Sequence, residues 1–263
     1  MKREVLPLSV CMISGAEAHR IRKSLESVKD WVSEIVIVLN EEVTDDTEKI
    51  ALEYGAKVYR ESWKGFIAQK NSVTDKATQP WILGLDADEV VSDDLRKEIE
   101  RMILDPKENY DAFDFPRLAF FKGRWIRHGD WYPDRQLRLW KRGKARWTGI
   151  DPHGYLKTEG RTGRLHSNLL HYSEESIDQV IGKIVPYSED FLHNFQNSGR
   201  KPSLINLGFR PFFRFFRGYV LKLGFLDGWQ GYFIAWTNSY SAAVRYSKTF
   251  ADPIRSKFDN RQK

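Results

Sequence analysis

The chain has 263 residues, 41% of them hydrophobic and 30% charged, which supports a sizeable core and excludes an intrinsically disordered chain. Lys and Arg number 42 against 36 Asp and Glu, a net charge of +6 that suits an anionic partner: a nucleotide, a nucleic acid or an acidic membrane surface. A single cysteine, Cys11, excludes an internal disulfide and a cysteine-built zinc site, and argues for a reducing compartment.

Residues 8–13 form a continuous apolar run of buried-strand length. Pro7 interrupts the apolar stretch and no small-residue cleavage site comes after it, so a first strand is expected here, not a signal peptide. Ile21, Leu25 and Val28 repeat at helical spacing, and residues 34–39 make a second β-branched run. Residues 44–54 read as a helix, with Asp45, Asp46 and Glu48 in the first turn and Gly55 as a stop. Residues 57–59 predict a short third strand and residues 81–85 a fourth that runs directly into acids. Ser92 caps a predicted helix over 93–103, with Pro106 beyond it.

Strands joined by helical crossovers predict an α/β fold with a mostly parallel central sheet and flanking helices. Ligands of such sheets gather at the carboxyl ends of the strands, which directs attention to the residues after Leu39 and Leu85. After Asp105 the pattern changes. Residues 110–115 and 136–140 alternate like half-exposed strands, around a loop rich in Trp, Gly, His and Arg. From Ser173 the chain reads as helical and aromatic. The expected division is a domain over 1–175 and a helical extension over 176–263. No stretch of about 18 apolar residues occurs, so no transmembrane helix is expected. A cytoplasmic protein that can lie on a membrane is the expectation.

Asp86-Ala87-Asp88-Glu89 leaves a buried strand with two carboxylates at i and i+2. Mg²⁺ or Mn²⁺ carrying a diphosphate would supply the missing counter-charge, since such cations use one or two carboxylates plus phosphate oxygens. A solvated turn capping the next helix is the alternative.

With these segments in view, the chain resembles an inverting family 2 glycosyltransferase with a GT-A fold, closest to bacterial lipopolysaccharide-core glucosyltransferase-like proteins. The most specific pieces are Thr44-Asp45-Asp46-Thr47, Gly65-Phe66-Ile67-Ala68-Gln69-Lys70-Asn71 and Leu85-Asp86-Ala87-Asp88-Glu89. The resemblance implies a nucleotide-sugar donor, most simply a UDP-hexose, and a glycan or lipid-linked acceptor. Asp86 would face the ribose or the metal and Asp88 would ligand the metal. Asn40, Gln69, Lys70 and Asn71 fall where the donor is held. Two departures stand out. Ala16-Glu17-Ala18 replaces the usual Asn-Glu-Glu, and Asn40-Glu41-Glu42-Val43 replaces the usual Asp-Ser-Gly-Ser. Lys70 would neutralise a diphosphate oxygen or be a solvated helix residue.

Inverting transfer needs a carboxylate that takes the acceptor hydroxyl proton. The resembling proteins carry Val-His-Glu where this chain has Asp151-Pro152-His153-Gly154, so the Glu slot is Gly154. Either the base has moved or the chain is inactive. Asp151 is the first substitute, Asp134 the second and Glu89 the third, each with a local turn role as its alternative. His171, and after it His153, are candidates for a nitrogen ligand to the metal.

In the loop, Trp125, His128, Asp130, Trp131, Tyr132 and Arg135 suit a sugar or an aromatic mini-core. Arg135, Arg138 and Arg142 would meet a phosphorylated acceptor, with a solvated strand face as the alternative for Arg138 and Arg142. Over residues 209–226, Phe212, Phe213, Phe216, Tyr219, Val220 and Leu223 cluster on one side of a helix opposite Arg210, Arg214 and Arg217, with Pro211 in its first turn. That pattern predicts an interfacial helix on an anionic membrane surface, against which stands simple core cover. A catalytically silent GT-A-like binding protein is the rival reading. Nucleic-acid binding is set aside, because the basic residues are dispersed among acids and no nucleic-acid-binding motif occurs.

Overall fold

The computed structural model describes residues 5–106, 108–151, 154–173 and 176–259, the stretch 252–259 as backbone only. The chain packs as two compact units: one formed by the residues up to Leu118 together with Asp134–Tyr172, the other by Ala119–Pro133 and the residues from Ser173 on.

In the first unit the chain runs β1 (Leu6–Ser14), α1 (Ile21–Glu26), β2 (Val32–Asn40), α2 (Thr47–Glu53), β3 (Lys57–Glu61), α3 (Phe66–Asp75), β4 (Trp81–Gly84), β5 (Glu89–Val91) and α4 (Asp93–Leu104). It enters β6 (Ala112–Phe121), whose last residues pair with β7 (Arg124–Trp125) in the second unit. It then returns through β8 (Asp134–Lys141), β9 (Ala145–Thr148), β10 (Tyr155–Thr158), β11 (Thr162–Arg164) and β12 (Leu169–Tyr172). The sheet order is β3-β2-β1-β4-β8-β6-β12-β5. The four strands from β3 to β4 are parallel, as the helical crossovers require, and β8 joins β4 antiparallel. The expected α/β class with a helical C-terminal part is the one observed.

Strand periodicity builds two cores. Leu6, Leu8, Val10 and Met12 of β1 meet Ile35 and Ile37 on one face, while Cys11 meets Val36, Val38, Ile82 and Trp140 on the other. Both faces of the sheet are thus covered, and β1 carries no polar side of its own. Register aligns the strand ends: Ser14 lies opposite Leu39, and Cys11 opposite Gly84. The chain therefore leaves β1, β2 and β4 along one edge.

Local chemistry moves some predicted boundaries. The helix expected from Thr44 starts at Thr47, because Asp45 spends its carboxylate on a turn. Its Oδ1 accepts from the Thr47 N–H at 3.1 Å, and its Oδ2 from the Ala18 N–H at 3.1 Å. Ser92 caps α4 as expected, its Oγ accepting from the Leu95 N–H at 3.2 Å. Arg138, expected at an acceptor phosphate or on a solvated strand face, is buried.

In the second unit α5 (Ile177–Gly182) opens with a capping box between Ser176 and Gln179, and α6 (Ile184–Asn197), α7 (Leu204–Phe216) and α8 (Gly228–Asp259) complete it. Phe121, Ile126, Val180 and Ile234 form its small core, against which Trp131 and Phe233 pack. Pro211 lies inside α7, not in a first turn, because Ser203 caps the helix earlier: its Oγ accepts from the Asn206 N–H at 3.4 Å. No residue of α7 is buried. Among the described residues no helix is long and apolar enough to cross a membrane.

Candidate active site

A cavity of about 560 Å³ opens at the carboxyl ends of β1, β2 and β4. Glu17 and Arg20 enter it from the loop after β1, Asn40 from the end of β2, and Asp86 and Asp88 from the turn after β4. Lys70 on α3 and His171 on β12 complete its polar wall, and Trp63 and Phe66 its aromatic one. The rings of Trp63 and Phe66 meet edge to face at 4.8 Å, and both remain well exposed.

The acid turn is held from below. Glu89 is fully buried, and its Oε2 accepts from the Asp86 N–H at 3.0 Å. Its Oε1 faces Arg117 at 3.3 Å and Arg138 at 3.4 Å. Arg138 also donates to Asp86 Oδ2 at 2.8 Å, while Lys70 Nζ donates to Asp86 Oδ1 at 3.0 Å. Burial works against the charge on Asp86, but Arg138 and Lys70 outweigh it and hold its carboxyl well below the usual carboxylate range. The same exchange raises the Arg138 guanidinium above its ordinary value, against its burial. Both cations approach the Trp147 ring, Lys70 Nζ at 4.6 Å and the Arg138 guanidinium carbon at 5.4 Å from its centroid.

Asp88 differs from Asp86. Antiparallel pairing of β12 with β5 sets His171 opposite Glu89, and the Tyr172 N–H donates to the Asp88 carbonyl at 2.9 Å. This register brings His171 Nε2 to 3.3 Å from Asp88 Oδ2, with Arg20 at 3.5 Å from the same oxygen. Burial and the neighbouring Asp86 oppose ionisation of Asp88, but His171 and Arg20 together outweigh them, so its pKa is lowered. Asp88 and His171 are an oxygen and a nitrogen donor facing one cavity. Among the described residues no group of three or more His, Cys, Asp or Glu gathers as a metal cage.

The three candidate bases lie in different surroundings. Glu89 is sealed beneath the turn. Asp134, at the start of β8, pairs with Arg117 at 2.7 Å and accepts from Gln136 Nε2 at 2.6 Å. Asp151 is exposed, and its Oδ1 accepts from the Ile67 N–H at 2.9 Å at the start of α3, beside the cavity residue Phe66. The empty Glu slot is filled sterically: a Cβ on Gly154 would stand 2.6 Å from Ile67 Cγ1. His153 lies outside the described residues.

Gln69 and Asn71 share α3 with Lys70 but do not line the cavity. Gln69 is buried, and Asn71 exchanges two hydrogen bonds of 3.0 Å with the backbone of Trp147, tying α3 to β9. The Thr44–Thr47 motif serves the loop after β1, for Thr47 Oγ1 accepts from the Glu17 N–H at 2.8 Å. Sequence reasoning does not single out Glu17, Arg20, Trp63 or Phe66 as site residues. The strand-end rule that points to the residues after Leu39 and Leu85 applies equally after Ser14, and it is the signal that finds Glu17 and Arg20.

Residues 9–157 match the profile of Glycosyl transferase family 2. An uncharacterized glycosyltransferase of Rickettsia felis is 29% identical over 266 residues, covering 95% of this chain and 92% of its own. The lipopolysaccharide core biosynthesis glycosyltransferase LpsC of Rhizobium meliloti is 28% identical over 252 residues, covering 93% and 92%. Among solved structures, S. aureus TarS 1-349 in complex with UDP-GlcNAc shares 14% identity at a TM-score of 0.49, over 90% of this chain and 81% of that one.

Proposed function

Because the chain belongs to Glycosyl transferase family 2, we propose that it moves a hexose from a nucleotide-sugar, foremost a UDP-sugar, to a hydroxyl of a glycan or lipid-linked acceptor, with inversion, in lipopolysaccharide-core or other cell-envelope polysaccharide synthesis. The observation that carries this reading is the convergence of Arg20, Lys70, Asp88 and His171 on one strand-end cavity walled by Trp63 and Phe66. The likeness to LpsC along most of both chains supports the envelope acceptor.

Asp88 and His171 fit a divalent cation, Mg²⁺ or Mn²⁺, of the kind that takes few protein ligands and completes its shell with phosphate oxygens and water. When bound, such a cation stabilises negative charge on the departing diphosphate. Asp86 has a cation on each oxygen already, so its part in this reading is to orient Lys70 toward the cavity. Lys70 and Arg20 then bind diphosphate oxygens by charge-assisted hydrogen bonds. Asn40 donates and accepts at the nucleoside, and Trp63 and Phe66 offer apolar faces to the base or the sugar.

Asp151 takes the proton of the acceptor hydroxyl. Glu89 and Asp134 are each paired with arginine, whereas Asp151 is exposed and, among the described residues, bonds only a backbone N–H. The exposed aromatic residues of α7 and α8 rest on an anionic membrane surface, which suits a lipid-linked acceptor.

One observation favours a silent binding protein instead: Ile67 occupies the space beside Gly154, the slot in which the resembling proteins carry their Glu. Incubation with a panel of UDP-sugars and Mn²⁺ separates the two. Release of UDP supports the transferase, and donor binding without any release across the panel supports the silent form.

A further inference from the structure

The second unit holds a cavity of about 630 Å³ that the transferase reading leaves unused. Arg210 and Arg214 reach it from α7, Arg217 from the turn after α7, and Arg245 from α8, and among the described residues no acid lines it. Asn206, Asn238 and Tyr246 add further polar groups, and Phe209 and Phe213, stacked at 5.6 Å, add an apolar wall.

These cations are poorly neutralised. Asp130 faces Arg214 at 3.3 Å and Arg217 at 2.7 Å, but it also serves Lys222 at 3.1 Å. Arg210 donates to Asn206 Oδ1 at 3.0 Å and stacks over Tyr246. Among the described residues, three donors here are buried with no hydrogen-bond partner: Arg217 Nε, Arg245 Nε and Asn238 Nδ2. Burial, and Arg214 beside it, lower the pKa of Arg245 below the ordinary guanidinium value. Native proteins rarely leave buried donors unpaired, and each such donor calls for an acceptor.

We propose that this cavity is a second anion site, which takes a phosphomonoester or diphosphate group carried on a larger molecule. Planar guanidinium groups match phosphoryl oxygens in pairs, and several converging forks select a tetrahedral polyanion over a single carboxylate. The volume exceeds that of a lone phosphate, and the phenylalanine wall suits an attached apolar or sugar body. Such a site depends neither on the transferase reading nor on membrane contact.

The test uses the full chain with Arg20→Gln and Lys70→Gln, so that the first cavity does not report. Inorganic pyrophosphate is titrated into this protein by calorimetry, then into the same protein with Arg245→Gln or with Arg210→Gln. Arg210 is exposed, so its substitution leaves folding intact, and each variant is checked by its melting transition. Saturable binding weakened about tenfold or more by either cavity substitution is expected for a built site. No saturable binding, or binding that neither substitution changes, overturns the proposal. Sedimentation with phosphatidic acid vesicles then distinguishes the source. Retention that soluble pyrophosphate displaces assigns the site to a lipid headgroup, and retention that it leaves unchanged assigns the site to a soluble phosphorylated compound.

Discussion

Asp151 and Ile67, 84 residues apart in sequence, share a hydrogen bond of 2.9 Å that closes the start of α3. Gly65 holds the N-cap position with no side chain to offer, and the carboxylate of Asp151 takes its place. A Cβ at Gly65, where φ is +90°, would lie 2.0 Å from Asp151 Oδ2, so the glycine makes room for the acid.

This double role of cap and base can be separated. Asp151→Asn keeps an oxygen for the Ile67 N–H but cannot take a proton. Transfer is expected to fall by about 10²–10⁴-fold with the melting temperature nearly unchanged. Asp151→Ala is expected to lose transfer and, in addition, about 1 kcal/mol of stability. Turnover of Asp151→Asn close to that of the native protein moves the base elsewhere.

Arg138 is the buried counter-charge for both Asp86 and Glu89. Arg138→Met leaves Glu89 sealed with half its compensation and is expected to cost about 3–5 kcal/mol. Urea denaturation measures it. Adding Glu89→Gln is expected to recover part of the loss, because the two side chains belong to one network.

Glu34 sets an acid-side dependence of stability. It is buried on β2, and its carboxylate accepts from Lys57 Nζ at 2.8 Å, from the Thr78 N–H at 2.8 Å and from the Ser9 hydroxyl. Burial alone would raise its pKa, but these donors lower it from the ordinary 4.5 to about 2. The unfolded chain therefore binds the proton first. The stabilisation is present above pH 4.5 and is lost as the pH falls toward 2. It amounts to at most about 3 kcal/mol. Denaturation midpoints at pH 6 and pH 3 are expected to differ less in Glu34→Gln than in the native protein.

Much of the parallel half-sheet is legible in the sequence, because β1, β2 and β4 are buried on both faces and read as unbroken apolar runs. Asp88 and His171 can be named for a related reason: both lie near strand ends in the chain pattern. Their meeting cannot, since it depends on β12 pairing with β5, two short strands far apart in sequence whose register sets His171 opposite Glu89. The alternation in β8 does not tell which of its faces is covered, so it leaves the burial of Arg138 hidden. Asn71 and Thr47 fall within motifs that suggest binding, yet they brace the backbone of Trp147 and Glu17.

The apolar surface of the second unit has its own test. Trp229, Tyr232, Trp236 and Tyr240 repeat along α8 and are exposed, as are Phe209, Phe212 and Phe216 on α7. Phe212→Ser, Phe216→Ser and Trp236→Ser together are expected to weaken sedimentation with phosphatidylglycerol vesicles by about tenfold or more. Unchanged sedimentation would contradict membrane contact.

The cation-and-diphosphate reading of the first cavity is tested most directly by titrating UDP into the protein with Mn²⁺ and again with a chelator. Binding to the native chain is expected to weaken at least about tenfold without the metal, and Asp88→Asn and His171→Ala are expected to abolish that difference. Equal UDP affinity with and without Mn²⁺ in the native chain would contradict it.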